Sequence, residues 1–154
     1  MNLKQKTAAS LVAALVIALP VVKTFEGRSL VAYLDPVGIP TICEGITHGV
    51  RLGQTATDAE CDVRTAAALA QAIASVDRLT IRPQPDTRRA ALGSFVYNVG
   101  EQAFSGSTLL RKLNAGDVSG ACAELDRWVY AKGKRLRGLE RRRSAERQLC
   151  EAGL

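Results

Sequence analysis

The chain has little with which to hold a metal. Among its 154 residues there is one histidine, His48, and its four cysteines form no C-x-x-C pair. Both facts argue against a histidine-based metal site and against a zinc ribbon. Aromatic residues are scarce, at 5%, so the core has to be built mainly from Ala, Val, Leu and Ile. The chain lacks repeats and low-complexity linkers, and it has no aromatic-rich stretches on which nucleic-acid bases would stack. Acidic residues are missing from residues 1–22, charge of either sign from residues 7–22, and cysteine from the whole of 1–22.

What remains is an ordinary globular balance, 47% hydrophobic and 23% charged, sufficient to bury a core and to argue against disorder. The length fits one domain with a short appendage. The net charge of +6 and the pI of about 9.5 suit an anionic partner such as nucleic acid, membrane or cell wall, without choosing among them.

The charge is concentrated at the ends. Residues 132–147 hold eight basic residues and two acids, whereas residues 23–131 hold eleven basic and twelve acidic residues. A solvated helix face is the default reading of such a basic stretch; a patch facing an anionic polymer or a membrane is the functional one. At the other end, Lys4 and Lys6 precede the uncharged run 7–22, the pattern of an export signal. As a helix the run would span about 24 Å, short of the roughly 30 Å hydrocarbon core. It is rich in Ala and contains Thr7 and Ser10. A cleaved signal peptide, a permanent anchor, and an uncleaved segment that enters the membrane and can leave it all remain open; the last carries the most weight.

Local signals order the rest. Val21–Phe25 reads as helix with Gly27 as its stop. Leu30, Ala32 and Leu34 alternate with other residues, and Asp35-Pro36-Val37-Gly38 is a turn signal, so residues 30–53 read as short strands and hairpins. Thr57-Asp58-Ala59-Glu60 is a capping box, and Val63, Ala66, Ala67, Ala70, Ile73 and Val76 recur at helical spacing behind it. Asp86 can cap a helix running to Val99, with Gly100 as its stop. Ser107 can cap another through Leu113, and Asp117 one through Tyr130. A last helix covers 136–150. The expected fold is α+β and mainly helical: a β lobe at about 28–56, a linking helix at about 58–79 and a helical lobe at about 80–154.

One constellation points to chemistry. Glu26 ends the first helix, Asp35 lies nine residues later at a turn, and Thr41 six residues after that. An acid before a helix-ending Gly, followed by a hairpin, can put two carboxylates on opposite walls of a cleft. Glycosidic hydrolysis needs that pair, one to protonate the leaving oxygen and one to activate water. No metal and no cofactor is called for.

These residues resemble a family. Phe25-Glu26-Gly27 and the stretch from Ala32 through Tyr33, Asp35, Gly38 and Thr41 to Ile42 are similar to the phage-type lysozymes of glycoside hydrolase family 24, whose signature is Glu, eight residues, Asp, five residues, Thr. The likeness continues through Arg88–Leu92, Ser94–Gly100, Ser107–Asn114, Gly138-Leu139 and Arg141–Arg143, covering roughly residues 21–150. It implies a two-lobed lysozyme-like fold on residues 23–154 and cleavage of the β-1,4 bond between N-acetylmuramic acid and N-acetylglucosamine. Glu26 would be the general acid, Asp35 would orient or activate the water, and Thr41 would help hold it. The acid has to stay protonated near neutral pH. An inverting reaction would place the carboxyls about 6.5–9.5 Å apart; about 5 Å would favour a covalent route. Asn98 falls where the helical lobe faces the cleft, with substrate contact and a local helix-end hydrogen bond both open. His48 reads as a loop residue near the cleft.

One departure stands out: the family's first Gly after Thr-Ile is Cys43 here, and Cys cannot match glycine's backbone freedom. It resembles the exported phage endolysins with a signal-arrest-release segment; a small buried residue is the alternative. In the periplasm disulfides persist, and the expected pairs are Cys43–Cys61, flanking the β lobe and the linking helix, and Cys122–Cys150, on two late helices. The resulting expectation is an exported, monomeric endolysin, held inactive at the inner membrane through residues 7–22 and then released into the periplasm to cut peptidoglycan. A basic helical protein that binds nucleic acid is the competing reading. It explains residues 132–147 but not the export-like start or the Glu26–Asp35–Thr41 spacing. A non-catalytic wall-binding protein on the same fold is a third.

Overall fold

Several helix starts in this chain are set by local caps, and those at Thr57, Ser107 and Asp117 act as read. A computed structural model describes residues 3–154; the side chains of residues 1–7, Lys4 and Lys6 among them, lie outside the described residues. Helix α1 spans Leu3–Glu26 and stops where Gly27 turns left-handed at φ 69°. Strands β1 (Ser29–Leu34) and β2 (Pro40–Cys43) form an antiparallel hairpin that pairs Tyr33 with Thr41. Thr57 and Glu60 then close both halves of the capping box, which starts α2 (Asp58–Leu79) with two of its orphan backbone donors satisfied. Helices α3 (Asp86–Val99), α4 (Glu101–Ser105), α5 (Thr108–Asn114) and α6 (Val118–Glu124) follow. Ser107 and Asp117 cap the last two through Leu110 N and Gly120 N. A 3-10 turn (Leu125–Arg127), a hairpin of β3 (Tyr130–Ala131) and β4 (Lys134–Arg135), and α7 (Arg137–Glu151) complete the chain.

The architecture is α+β and mainly helical, with the β1–β2 lobe joined by α2 to a helical lobe. The helical core gathers Val76, Leu92, Phe95, Phe104, Leu109, Leu113 and Leu125. Its few aromatics sit together: Phe95 meets Trp128 edge-on at 5.2 Å and Phe104 at 6.3 Å. Disulfides join Cys43 to Cys61 and Cys122 to Cys150, with Cα separations of 5.1 and 5.7 Å. Closing loops of this size is worth about 3 kcal/mol each.

Several elements depart from the sequence reading. The first helix is not confined to Val21–Phe25 but takes in the whole apolar run. Ala14, Ala18 and Val22, at helical spacing, are fully buried against Leu69, Ile73 and Ala90, while Val12 and Val16 on the opposite face are 58% and 64% exposed. Pro20 is accommodated inside the helix. In β1 only Ala32 is buried; Leu30 and Leu34 face solvent, because the lobe is too thin to cover a full strand face. Of the expected stripe on α2, Ile73 and Val76 are buried, together with Cys61, Thr65, Leu69, Ala72 and Ser75, whereas Ala66, Ala67 and Ala70 are not and Val63 is 70% exposed. Cys61 and Thr65 tie this face of the helix to the β lobe, through the bond to Cys43 and the hydrogen bond to Glu44. Asp86 is the first residue of α3 rather than its cap, which is Pro85. The helix from Asp117 ends at Glu124 instead of Tyr130, and the intervening α4 gave no separate signal.

Gly93 marks the closest approach of α3 to α2. A Cβ there would lie 2.5 Å from Ile73 Cγ1, which is itself fully buried. Gly93→Ala is therefore expected to lower unfolding free energy by about 1–3 kcal/mol despite alanine's better helix propensity; urea denaturation checks this, and an unchanged midpoint would contradict the packing.

Candidate active site

The site is built on the last residue of α1. Gly27 ends the helix there, so the Glu26 side chain projects from a terminus rather than from a packed face. Arg142 on α7 donates to its Oε1. The other oxygen, Oε2, points to the β lobe: a Cβ placed on Gly45 would lie 3.5 Å from it. Gly45 has φ 81°, so any side chain would be strained as well as pressed against the carboxylate.

Arg142 belongs to a buried ion cluster. Its Nε donates to Glu146 Oε1 at 3.0 Å, and its Nη2 donates to the Ser94 carbonyl at 3.0 Å. Ser94 Oγ donates to the same Glu146 oxygen at 2.7 Å. Arg143 donates to Glu146 Oε2 at 2.5 Å and to the Trp128 carbonyl at 3.0 Å, lies over the Phe95 ring at 4.9 Å, and also donates to Asn98 Oδ1. Arg142, Arg143 and Glu146 are 2%, 1% and 0% exposed. Burial pushes the Arg143 guanidinium down from the usual arginine value, against the Glu146 charge that supports it. The basic stretch 132–147 is thus not a uniform solvated face. Two of its arginines are core residues that span from α7 to α3 and Glu26, while Lys132, Lys134, Arg135, Arg137 and Arg141 remain exposed. A spacing rule that treats arginine as surface could not find this. The run of three consecutive arginines was the one available signal, since they cannot all share one outer face.

Asp35 sits in the β1–β2 turn. Its Oδ1 accepts from Val37 N and Ile39 N, both at 2.9 Å, which leaves Oδ2 without a protein partner among the described residues. Thr41 is 4% exposed and donates its hydroxyl proton to the Ile39 carbonyl at 2.9 Å; toward any further partner it can only accept. The register that pairs Tyr33 with Thr41 keeps both residues on the hairpin that adjoins Glu26.

The backbone behind Thr41 is held from three sides. Cys43 adopts the left-handed φ of 56°, the conformation of a glycine, contrary to the expectation that Cys would not supply it; its bond to Cys61 holds it there. Glu44, 1% exposed, accepts from Arg28 Nε and Thr65 Oγ1, both at 2.6 Å. Its carbonyl accepts from the Tyr97 hydroxyl at 2.5 Å. Tyr97 is pushed well above the usual phenol range, first by burial and then by the Glu26 charge. It was missed from sequence, although it neighbours Asn98 in the matched stretch. Arg28 also bonds Asp58 and Asp62; with Lys23 it holds Asp62 down at about 2.

Asn98 is engaged by Arg143 rather than by a helix-end backbone group. His48 is exposed and lines a cavity of about 340 Å³ with Gly45, Thr47, Gln71, Tyr97 and Glu101. Gly45, which neighbours Glu26 Oε2, is part of its lining.

Comparison with known proteins agrees with the geometry. A family model described as phage lysozyme matches residues 23–146. A SAR-endolysin of Enterobacteria phage PA-2 is 46% identical over 126 residues, 81% of this chain and 76% of that protein. The solved active form of the P1 phage endolysin superposes with a TM-score of 0.78 at 27% identity, covering 89% of this chain and 84% of that one. The secreted inactive form of the same endolysin gives only 0.54 at 25% identity, over 69% of this chain and 76% of that one.

The ion cluster carries a direct test. Glu146→Gln leaves two buried guanidiniums without their shared carboxylate, and is expected to cost about 3–5 kcal/mol of stability. Guanidinium denaturation measures it; a loss below about 1 kcal/mol would show that water reaches the cluster.

Proposed function

From the premise that this chain belongs to the phage lysozyme family, we propose that it is an endolysin that hydrolyses the β-1,4 bond between N-acetylmuramic acid and N-acetylglucosamine, with Glu26 as the proton donor. One observation carries the assignment of Glu26. Its two oxygens have separate surroundings, Oε1 gripped by Arg142 and Oε2 turned to Gly45 on the β lobe. A general acid needs this division, because one oxygen must be fixed for the other to meet the leaving group at hydrogen-bond distance.

The hairpin supplies the other half of the reaction. Asp35 is held through Oδ1, so Oδ2 is available to accept a proton from water. Thr41, its own proton engaged by Ile39, accepts the second water hydrogen. A water donating to both has its lone pair directed away from them, toward the sugar's anomeric carbon. Glu26 protonates the leaving oxygen as the water attacks, and Asp35 takes the water's proton. The hydroxyl ends on the muramic acid carbon and the new alcohol on the glucosamine. Asn98 and His48 are the proposed substrate contacts.

Residues 7–22 belong to the same proposal. The described run Ala8–Glu26 is apolar enough to cross a membrane by length and composition. Export through the membrane to the periplasm fits the relatives named SAR-endolysins. Only three residues separate Val22 from Glu26. With the run inserted in the inner membrane, Ala14, Ala18 and Val22 face lipid instead of Leu69 and Ile73, and Glu26 is withdrawn from Arg142. The inserted form is inactive, and the docked helix is the active state. Its better superposition on the active than on the inactive P1 endolysin supports this.

Two measurements test the proposal. Glu26→Gln is expected to slow turbidity loss of outer-membrane-permeabilised Gram-negative cells by about 10²–10⁴-fold; equal clearing by both proteins would remove Glu26 from its role. Adding several Leu residues within 7–22 is expected to keep the chain in the membrane fraction and abolish clearing; strong lysis by a chain that stays membrane-bound would reject the inactive-insert proposal.

A further inference from the structure

Ser10 lies within the uncharged run, yet among the described residues of the docked helix it makes the most polar contacts with the rest of the chain. Its hydroxyl donates to Asp86 Oδ1 at 2.6 Å. Arg89 Nη1 donates to the Ser10 carbonyl at 2.8 Å and to its hydroxyl oxygen at 2.6 Å. The same nitrogen reaches Asp86 Oδ1 at 2.8 Å. The other side of the guanidinium is held by both oxygens of Asp77, at 2.8 and 2.7 Å. Arg89 is 7% exposed, while the Asp77 and Asp86 side chains keep 42% and 37% of their surface in contact with solvent. The Ser10 hydroxyl, and then Arg89, hold Asp86 below the usual carboxylate range.

Apolar packing alone gives this helix a weak reason to leave lipid. When docked it buries Ala14, Ala18 and Val22 but leaves Val12 and Val16 mostly exposed, whereas a bilayer covers every face. A preference for the docked state needs interactions that lipid does not supply, because only differential affinity shifts such an equilibrium. Ser10 lies about 24 Å along the helix from Glu26. In the inserted form it is therefore within the hydrocarbon and out of reach of α3, with Asp77, Arg89 and Asp86 facing water.

We propose that Asp77, Arg89 and Asp86 form a docking site for the released N-terminal segment, and that the Ser10 hydroxyl and carbonyl are its ligand. This rests on the reading that residues 7–22 start in the inner membrane. The site holds the far end of α1, while Lys23 on Asp62 and Glu26 on Arg142 hold the near end. The helix is pinned at both ends, and Glu26 is kept at the cleft.

The test is fractionation of the full chain, expressed in Gram-negative cells, into membrane and periplasm over time. Asp86→Asn changes nothing in residues 7–22, so any shift it causes cannot come from the run's hydropathy. It is expected to raise the membrane-to-periplasm ratio by about tenfold, the scale of one lost charged hydrogen bond. Ser10→Ala is expected to do the same, the double variant no more than the stronger single, and Ser10→Thr to restore the wild-type ratio. A wild-type ratio for Asp86→Asn, full additivity in the double, or Ser10→Thr behaving as Ser10→Ala would overturn the docking site while leaving release intact. A wild-type chain that clears cells without ever leaving the membrane would instead overturn the release reading, and the docking site with it.

Discussion

Glu146 has no exposure to solvent and faces two guanidinium groups. Burying one carboxylate with two cations is costly unless every donor is used, and here the spare donors are spent on the rest of the molecule. Arg142 reaches Ser94 on α3 and Glu26 on α1; Arg143 reaches the Trp128 carbonyl and Asn98. The cluster therefore serves as the joint at which α1, α3 and α7 meet. Its hydrogen bonding is completed by Glu26, whose Oε1 meets Arg142 only when α1 is docked. The site carboxylate and the stability of the helical lobe are thus coupled through the same hydrogen bonds.

In the proposed membrane cycle, helix α1 lives under two solvents. An Ala-rich stripe lets it approach α2 and α3 closely, and the valines opposite are an ordinary lipid-facing surface left in water. Neither environment satisfies it completely. In lipid it forfeits Ser10, Lys23 and Glu26 contacts; in water it exposes apolar area. In the proposed cycle this balance lets one sequence serve as both a membrane segment and the first helix of a catalytic domain.

The β lobe is small, and polar and covalent ties do much of the work that a larger apolar core would do. The Cys43–Cys61 bond, the buried Glu44 with Arg28 and Thr65, and the Tyr97 hydroxyl on the Glu44 carbonyl all converge on three consecutive residues, Cys43 to Gly45. Those residues carry Gly45 to the Glu26 carboxylate. A cystine at a left-handed position does there what glycine would do by having no side chain, and it adds a covalent tie to α2.

The sequence by itself determined where several elements begin or end, which residues are candidates for the chemistry, and that residues 7–22 differ from the rest. Caps at Thr57, Ser107 and Asp117 and stops at Gly27 and Gly100 are local: each signal lies within a few residues of the group it satisfies, so no distant partner is needed. The Glu26–Asp35–Thr41 spacing is legible for the same reason, being one helix end and one hairpin. Only the tertiary structure decided which face of α2 is buried, that Arg142 and Arg143 are interior, and that Tyr97 and Ser10 matter. These depend on partners far away in the chain: 116 residues separate Arg142 from Glu26, and 79 separate Arg89 from Ser10. A charged or hydroxyl side chain reads as surface until an opposite group is placed against it, and that placement exists only once the helices have packed.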